Sequence, residues 1–376
     1  MRKHIILSVI GIQNLILKLL KKAVFKKSDI KSRICINRSA NIGDAVCTVP
    51  VIYEIRKRYP QAHITVLTTP VLRNLTGLQA ILFNQDWIDD VIVYYEDEVH
   101  RPREIMEFSQ KMKKCNFDYF INLPYEKAGL ANQLKMMYLA HCLGVRQADG
   151  FYVSTTKILK KYQNKHFNFP NEVNRLLNGL PFAVNEGHEY PLKFSDKDIG
   201  NVESILKQYN LLNKEDKTII ISFSCKADAK RWDKNNFKII ARKWTERGGS
   251  VLLIGSGNDY SLANDIRDGN HNIINVCGKL SVIQSMILIK KIGKILAVDT
   301  GTIHLAAAVG AKSITLFSSY YFKGKWEADN KKNIIIRKDV PCAPCLQNTC
   351  KWGNNRCMNL ITPEEVWKCM CEAWEV

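Results

Sequence analysis

Lys294-Ile295-Leu296-Ala297-Val298-Asp299-Thr300-Gly301-Thr302-Ile303-His304-Leu305-Ala306-Ala307-Ala308-Val309-Gly310 decides the fold. A short apolar run with no alternation reads as a strand covered on both faces, the pattern of a parallel sheet. It stops at a small-residue turn and opens a helix whose alanines allow close packing on the sheet. The amides of that helix start, with the Thr300 and Thr302 hydroxyls, make an anion site. His304 falls one turn in, on the same side. Plainer roles are an N-cap for Asp299 and a core position for His304.

The same unit recurs in both directions. Downstream lies Ile314–Phe317; upstream lie Thr218–Phe223, Val251–Ile254 and Ile273–Val276, separated by helical stretches such as Phe237–Arg247 and Val282–Lys291. An earlier set comprises Ile34–Asn37, Ile64–Leu67, Val91–Tyr94 and Tyr119–Leu123, with a helix over Val46–Tyr59 that Pro50 is expected to kink. Strand and helix in alternation mean α/β architecture. The expected fold is two Rossmann-like, doubly wound parallel-sheet domains facing a cleft. Between the two sets runs a polar, strand-poor region from about Val153 to Lys217, with the linker expected near Asn185–Leu192. The domains expected are 31–190 and 191–340, preceded by an N-terminal helix over 1–30 and followed by a Cys-rich loop and helix over 341–376.

Ligands of doubly wound sheets sit beyond the carboxyl ends of the strands, so the turns after strands are the places to look. After the first strand comes Arg38-Ser39-Ala40-Asn41-Ile42-Gly43-Asp44, which puts an acid in the first turn of a helix. Catalysis is one reading of Asp44; complementing the helix dipole is the plain one. After Thr218–Phe223 comes Ser224-Cys225-Lys226-Ala227-Asp228-Ala229-Lys230-Arg231-Trp232. Its Lys230 and Arg231 suit a diphosphate, or simply solvent. After Val251–Ile254, Asp259 is placed to meet ribose hydroxyls, or to form a turn.

The chain has 376 residues, enough for about two domains. Its 46% hydrophobic and 24% charged residues exclude general disorder. Lys+Arg 55 against Asp+Glu 36 leaves +19, which favours an anionic partner: nucleic acid, an acidic membrane face or a phosphorylated substrate. Ile5 to Leu20 is mostly apolar and meets Lys18, Lys21, Lys22, Lys26 and Lys27. That pattern suits an amphipathic helix at an anionic membrane interface, or a helix packed on the first domain. It is too interrupted to span a bilayer.

Twelve cysteines in so long a chain do not make a secreted disulfide scaffold. Four of them, Cys342, Cys345, Cys350 and Cys357, lie close enough on one loop to wrap tetrahedrally around zinc or iron. Disulfides and unligated thiols are the other readings. Four thiolates leave no open position on the metal, so its role would be structural.

Taken in order, Arg38…Ile42-Gly43-Asp44…Pro50, Tyr59-Pro60, Ala229-Lys230-Arg231-Trp232 and Val298-Asp299-Thr300-Gly301-Thr302-Ile303-His304 resemble glycosyltransferase family 9, the ADP-heptose:lipopolysaccharide heptosyltransferases. The resemblance runs from about Arg33 to the C-terminus. It implies a GT-B fold, an ADP-heptose donor, inversion at the anomeric carbon and no catalytic cofactor. It implies Asp44 as general base, with Arg38, Asn41 and Gly43 on the acceptor side. Ser224, Lys230, Arg231, Asp259, Asp299, Thr300, Gly301 and His304 fall on the donor side. A similar cysteine cluster occurs in part of the family, including an iron-bound version in a branch acting on autotransporter proteins.

The resemblance further implies transfer to a phosphorylated lipid-sugar acceptor of the lipopolysaccharide inner core. The setting implied is the cytoplasmic face of the inner membrane. Transfer to a protein hydroxyl is one alternative. A basic nucleic-acid-binding protein with a zinc knuckle is another, though no nucleic-acid module is recognisable. The family's usual Phe-Gly-Pro-Thr loop is replaced here by Phe317-Ser318-Ser319-Tyr320-Tyr321-Phe322-Lys323-Gly324-Lys325-Trp326.

Overall fold

The structure, a computed structural model, describes the chain except residues 1, 71–75, 154–168, 185–186, 329 and 376, and for residues 2–6 the backbone alone. The chain divides into two compact units, Met1–Asn164 with Glu172–Lys193, and Lys165–Asn171 with Phe194–Val376. Part of the polar region from Val153 to Lys217, and the start of the stretch Asn185–Leu192, lie outside the described residues. The described part of that region holds two α-helices, Glu172–Leu177 and Asp196–Gln208.

The first unit is built on strands β1 (Arg33–Ser39), β2 (His63–Thr69), β3 (Asp90–Val93), β4 (Tyr119–Asn122) and β5 (Gln147–Asp149). They pair in the order β3-β2-β1-β4-β5, every pair parallel. Strand β5 escaped the sequence reading because Gln147-Ala148-Asp149 has no apolar run to announce it. Gly150 follows it at φ +87°, and a Cβ there would come within 1.9 Å of the Asn122 carbonyl oxygen, so only glycine fits.

The second unit carries β6 (Thr218–Ser222), β7 (Ser250–Leu253), β8 (Ile273–Asn275), β9 (Lys294–Val298), β10 (Lys312–Phe317) and β11 (Asn333–Arg337). Their order is β11-β10-β9-β6-β7-β8, again all parallel. Within each sheet the first strand along the chain, β1 or β6, lies inside, and the winding reverses beside it. These reversals fall between β1 and β4 and between β6 and β9. Carboxyl-end loops part there and leave room for a ligand.

Helix α1 (Arg2–Val24) packs on the first unit. Leu17 and Phe25 join the core of Phe120, Met136 and Leu139, and burying each is worth about 1.5–3 kcal/mol. Lys21 pairs with Asp149 at 2.6 Å, and Asn14 accepts from the Val153 amide at 2.7 Å. The packed arrangement weighed for this segment therefore describes its inner face. Its outer face exposes Val9, Ile12, Leu15, Ile16, Leu19, Leu20 and Val24 beside Lys18 and Lys22. Among the described residues no helix is long and apolar enough to cross a membrane.

Helix α2 (Ile42–Arg58) runs without interruption through Pro50. At the chain's end, Thr362 caps the helix Pro363–Trp374, accepting from the Glu365 amide, and Pro363 takes the first turn. That helix lays Val366, Met370 and Trp374 against Phe237, Ile240 and Trp244, so the C-terminal segment belongs to the second core.

Candidate active site: two switch points

At the β1/β4 reversal, Asp44 stands in the first turn of α2, behind Asn41 at the N-cap and beside Gly43 in helical backbone. Its carboxylate is 22% exposed. Burial pushes its pKa up to about 6, against the pull of Arg38; Glu172 and Glu126 push the same way as burial, and Arg175 pulls with Arg38. At neutral pH such a group is ionised, yet basic enough to take a proton.

Arg38 is wholly buried. Its guanidinium donates to Thr48 Oγ1 at 3.0 Å, to the Pro124 carbonyl at 2.9 Å and to Glu172 Oε1 at 3.1 Å. Asp44 Oδ1 stands 3.6 Å from the same Nη2. Glu172 in turn accepts from Arg175 on both oxygens, at 2.6 and 2.8 Å. Glu172, Arg175 and Glu126 were missed by the sequence reading. Glu172 is 134 positions from Arg38, inside a polar region with no motif of its own.

The β6/β9 reversal carries the opposite equipment. Lys230 Nζ meets Asp299 Oδ2 at 2.7 Å, in a pair only 17% and 6% exposed. The ammonium also lies 4.9 Å from the centroid of the Tyr320 ring. Ser222 donates to Thr302 Oγ1 across the reversal at 3.1 Å. Thr300 is the N-cap of the helix Gly301–Ala308, whose first amides point out of this end. His304 is 7% exposed and stacks edge-on to Trp326 at 6.2 Å. This reversal thus brings a cation, hydroxyls and a helix start to one place.

Two donor-side residues sit differently. Arg231 pairs with Asp228 at 3.3 Å and lines a separate hollow with Trp232, Phe237 and Asn355, so Lys230 stands without it at Asp299. Asp259 holds its own turn, accepting from the Ser256 amide and hydroxyl at 2.7 and 2.6 Å; Ser224 adds a third bond at 2.5 Å. The aromatic loop after β10 supplies Tyr320 and Trp326, to neither of which the sequence reading assigned a role.

The four cysteines Cys342, Cys345, Cys350 and Cys357 line one small pocket with Ser319, Trp352 and Arg356. None of the twelve cysteines is in a disulfide. Burial pushes the Cys357 thiol up. Burial acts upward on Cys350 too, but four backbone N–H groups, from Trp352 and residues 354–356, outweigh it and hold the thiol below its ordinary value. Among the described residues, no three or more His, Cys, Asp or Glu are drawn together as a metal site.

Two parallel Rossmann-like sheets, each with a polar switch point, make this a protein of the GT-B fold class. A match to glycosyltransferase family 9 (heptosyltransferase) spans residues 105–355, and the chain belongs to that family. A relative, lipooligosaccharide heptosyltransferase 2 of Campylobacter jejuni, is 22% identical over 346 residues, covering 89% of this chain and 96% of its own length. The glycosyltransferase family 9 structure from Veillonella parvula superposes with a TM-score of 0.71 at 17% identity, covering 93% of this chain and 99% of that one. The E. coli heptosyltransferase WaaC with ADP superposes at 0.63 and 15% identity, covering 91% and 99%. The family favours sugar transfer over the nucleic-acid alternative.

Proposed function

We propose that this chain transfers a heptose, with inversion, from an ADP-linked donor to a phosphorylated lipid-sugar acceptor of the lipopolysaccharide inner core. The observation that carries the reading is Asp44, a carboxylate at a helix start with its pKa pushed up to about 6. In the reaction Asp44 takes the proton of the acceptor hydroxyl as that oxygen attacks the anomeric carbon. The bond from that carbon to the diphosphate breaks, and its electron pair leaves with ADP. Lys230 and the amides of Gly301 and Thr302 receive the growing negative charge. The WaaC structure with ADP supports the nucleotide on the donor side.

The outer face of α1, apolar with lysines beside it, suits the anionic inner membrane surface where such an acceptor would lie, and so a cytoplasmic, peripheral location. The four clustered thiols fit a structural zinc or iron in donor chemistry, and the N–H nest around Cys350 is what a thiolate ligand needs. Elemental analysis of protein purified without chelator checks this; protein free of both metals ends it.

The test of the function is a thermal-shift series with nucleotide sugars, since a ligand of the folded form alone must raise the melting temperature. ADP-heptose is expected to raise it, and UDP-sugars to leave it in place. The reverse order would replace the donor assignment.

A further inference from the structure

Arg38 links Asp44 to the buried carboxylate of Glu172. Its Nη2 lies between two carboxylates, Glu172 Oε1 at 3.1 Å and Asp44 Oδ1 at 3.6 Å. A guanidinium shared in this way gives most of its charge to the nearer partner. Its other bonds, to Thr48 Oγ1 and to the Leu123 and Pro124 carbonyls, fix where it sits, and none of them adds charge. Glu172 is 1% exposed and is clamped by Arg175, which also bonds the Pro124 carbonyl at 2.7 Å. The network therefore has two arginines facing three carboxylates: Glu172, Asp44 and the buried Glu126, which lies 3.9 Å from Lys127.

We propose that Glu172 is the positioning residue of Asp44: by taking the nearer share of Arg38, it keeps that guanidinium from closing on Asp44 and leaves the carboxylate a competent base. Without Glu172, Arg38 would have one carboxylate to serve, and a tight Arg–Asp pair is a poor proton acceptor. Arg175 acts in the opposite sense. It neutralises part of Glu172, so its loss turns Glu172 more fully toward Arg38 and releases Asp44 further. The groups facing Asp44 are thus Arg38 from β1, Glu126 from the segment after β4, and Glu172 and Arg175 from the helix Glu172–Leu177. The direction in which each acts on the Asp44 proton agrees with this balance.

This inference rests on the reading of Asp44 as the base, and the two are separable. The experiment is a carbon-13 NMR titration of the aspartate carboxyls in the intact chain, with the Asp44 signal identified by its loss in Asp44→Asn. It needs no substrate. Glu172→Gln is expected to lower the Asp44 midpoint by roughly one pH unit, a tenfold loss of proton affinity. Arg175→Met is expected to raise it. A merely structural role would give no shifts of opposite sign. Either variant alone decides, so one that does not fold leaves the other to judge. A midpoint that stays at the wild-type value in a folded variant, or moves the other way, overturns the proposal. Full transfer activity in Asp44→Asn would instead remove the base assignment and leave the titration result standing as electrostatics.

Discussion

The two sheets have the same winding and opposite chemistry at the point where it reverses. Beside β1 and β4 stand Asp44 and Glu172 on the buried Arg38, Arg175 on Glu172, and Glu126 near Lys127. Beside β6 and β9 stand a lysine–aspartate pair, serine and threonine hydroxyls and a helix start. Backbone topology fixes where a ligand can sit, because only at the reversal do neighbouring loops part. Side chains then decide what that ligand is. On the proposed reading, Asp44 at the first reversal meets the acceptor hydroxyl and Lys230 at the second meets the donor diphosphate.

The sharpest way to break this contrast is Asp44→Asn. It is expected to cut turnover by about two to four orders of magnitude, the usual worth of a general base, while ADP affinity measured by calorimetry stays near wild type. Weakened ADP binding with normal turnover would swap the roles of the two switch points. Next in size is Lys230→Ala, which removes a charged hydrogen-bond donor and leaves the 6%-exposed Asp299 without its cation. ADP affinity should fall about 10–100-fold, the equivalent of about 1.5–3 kcal/mol. An unchanged dissociation constant would take Lys230 out of the donor site. The Arg231→Ala variant, whose guanidinium lines another hollow, serves as the control in the same titration.

Smallest in effect on chemistry is the outer face of α1. Leu15→Glu with Leu19→Glu should lower recovery on anionic vesicles several-fold, since both side chains are more than half exposed, yet leave the melting temperature in place. Recovery equal to wild type would remove the membrane role. Deleting the helix is the poorer experiment, because Leu17 and Phe25 belong to the core.

Much of what is local was legible in the sequence. Lys294–Val298 and Thr218–Ser222 announce themselves as apolar runs, and Asp44, Lys230 and Asp299 each follow such a run within a few residues. The turn chemistry of Asp259 was also local, and its plain role is the one its hydrogen bonds serve. Contacts between distant segments were not legible. Nothing in Phe169-Pro170-Asn171-Glu172 tells that Glu172 meets Arg38, and nothing in Arg231 tells that it turns away while its neighbour Lys230 faces Asp299. Strand β11, Asn333–Arg337, was overlooked because its burial is partial and its apolar run brief.

The cysteine-bearing loop ties down the stretch that carries Lys230. Asn348 accepts from the Ala229 amide at 2.9 Å, and Asn355 donates to the Asp228 and Arg231 carbonyls at 2.7 and 3.3 Å, so the stretch carrying Lys230 is tied from both sides by residues over a hundred positions later. A ribosome that has released only the first three hundred residues has made every strand of the acid-bearing sheet and none of these ties. Translation order therefore completes the acid-bearing sheet before the ties on the Lys230 stretch can form.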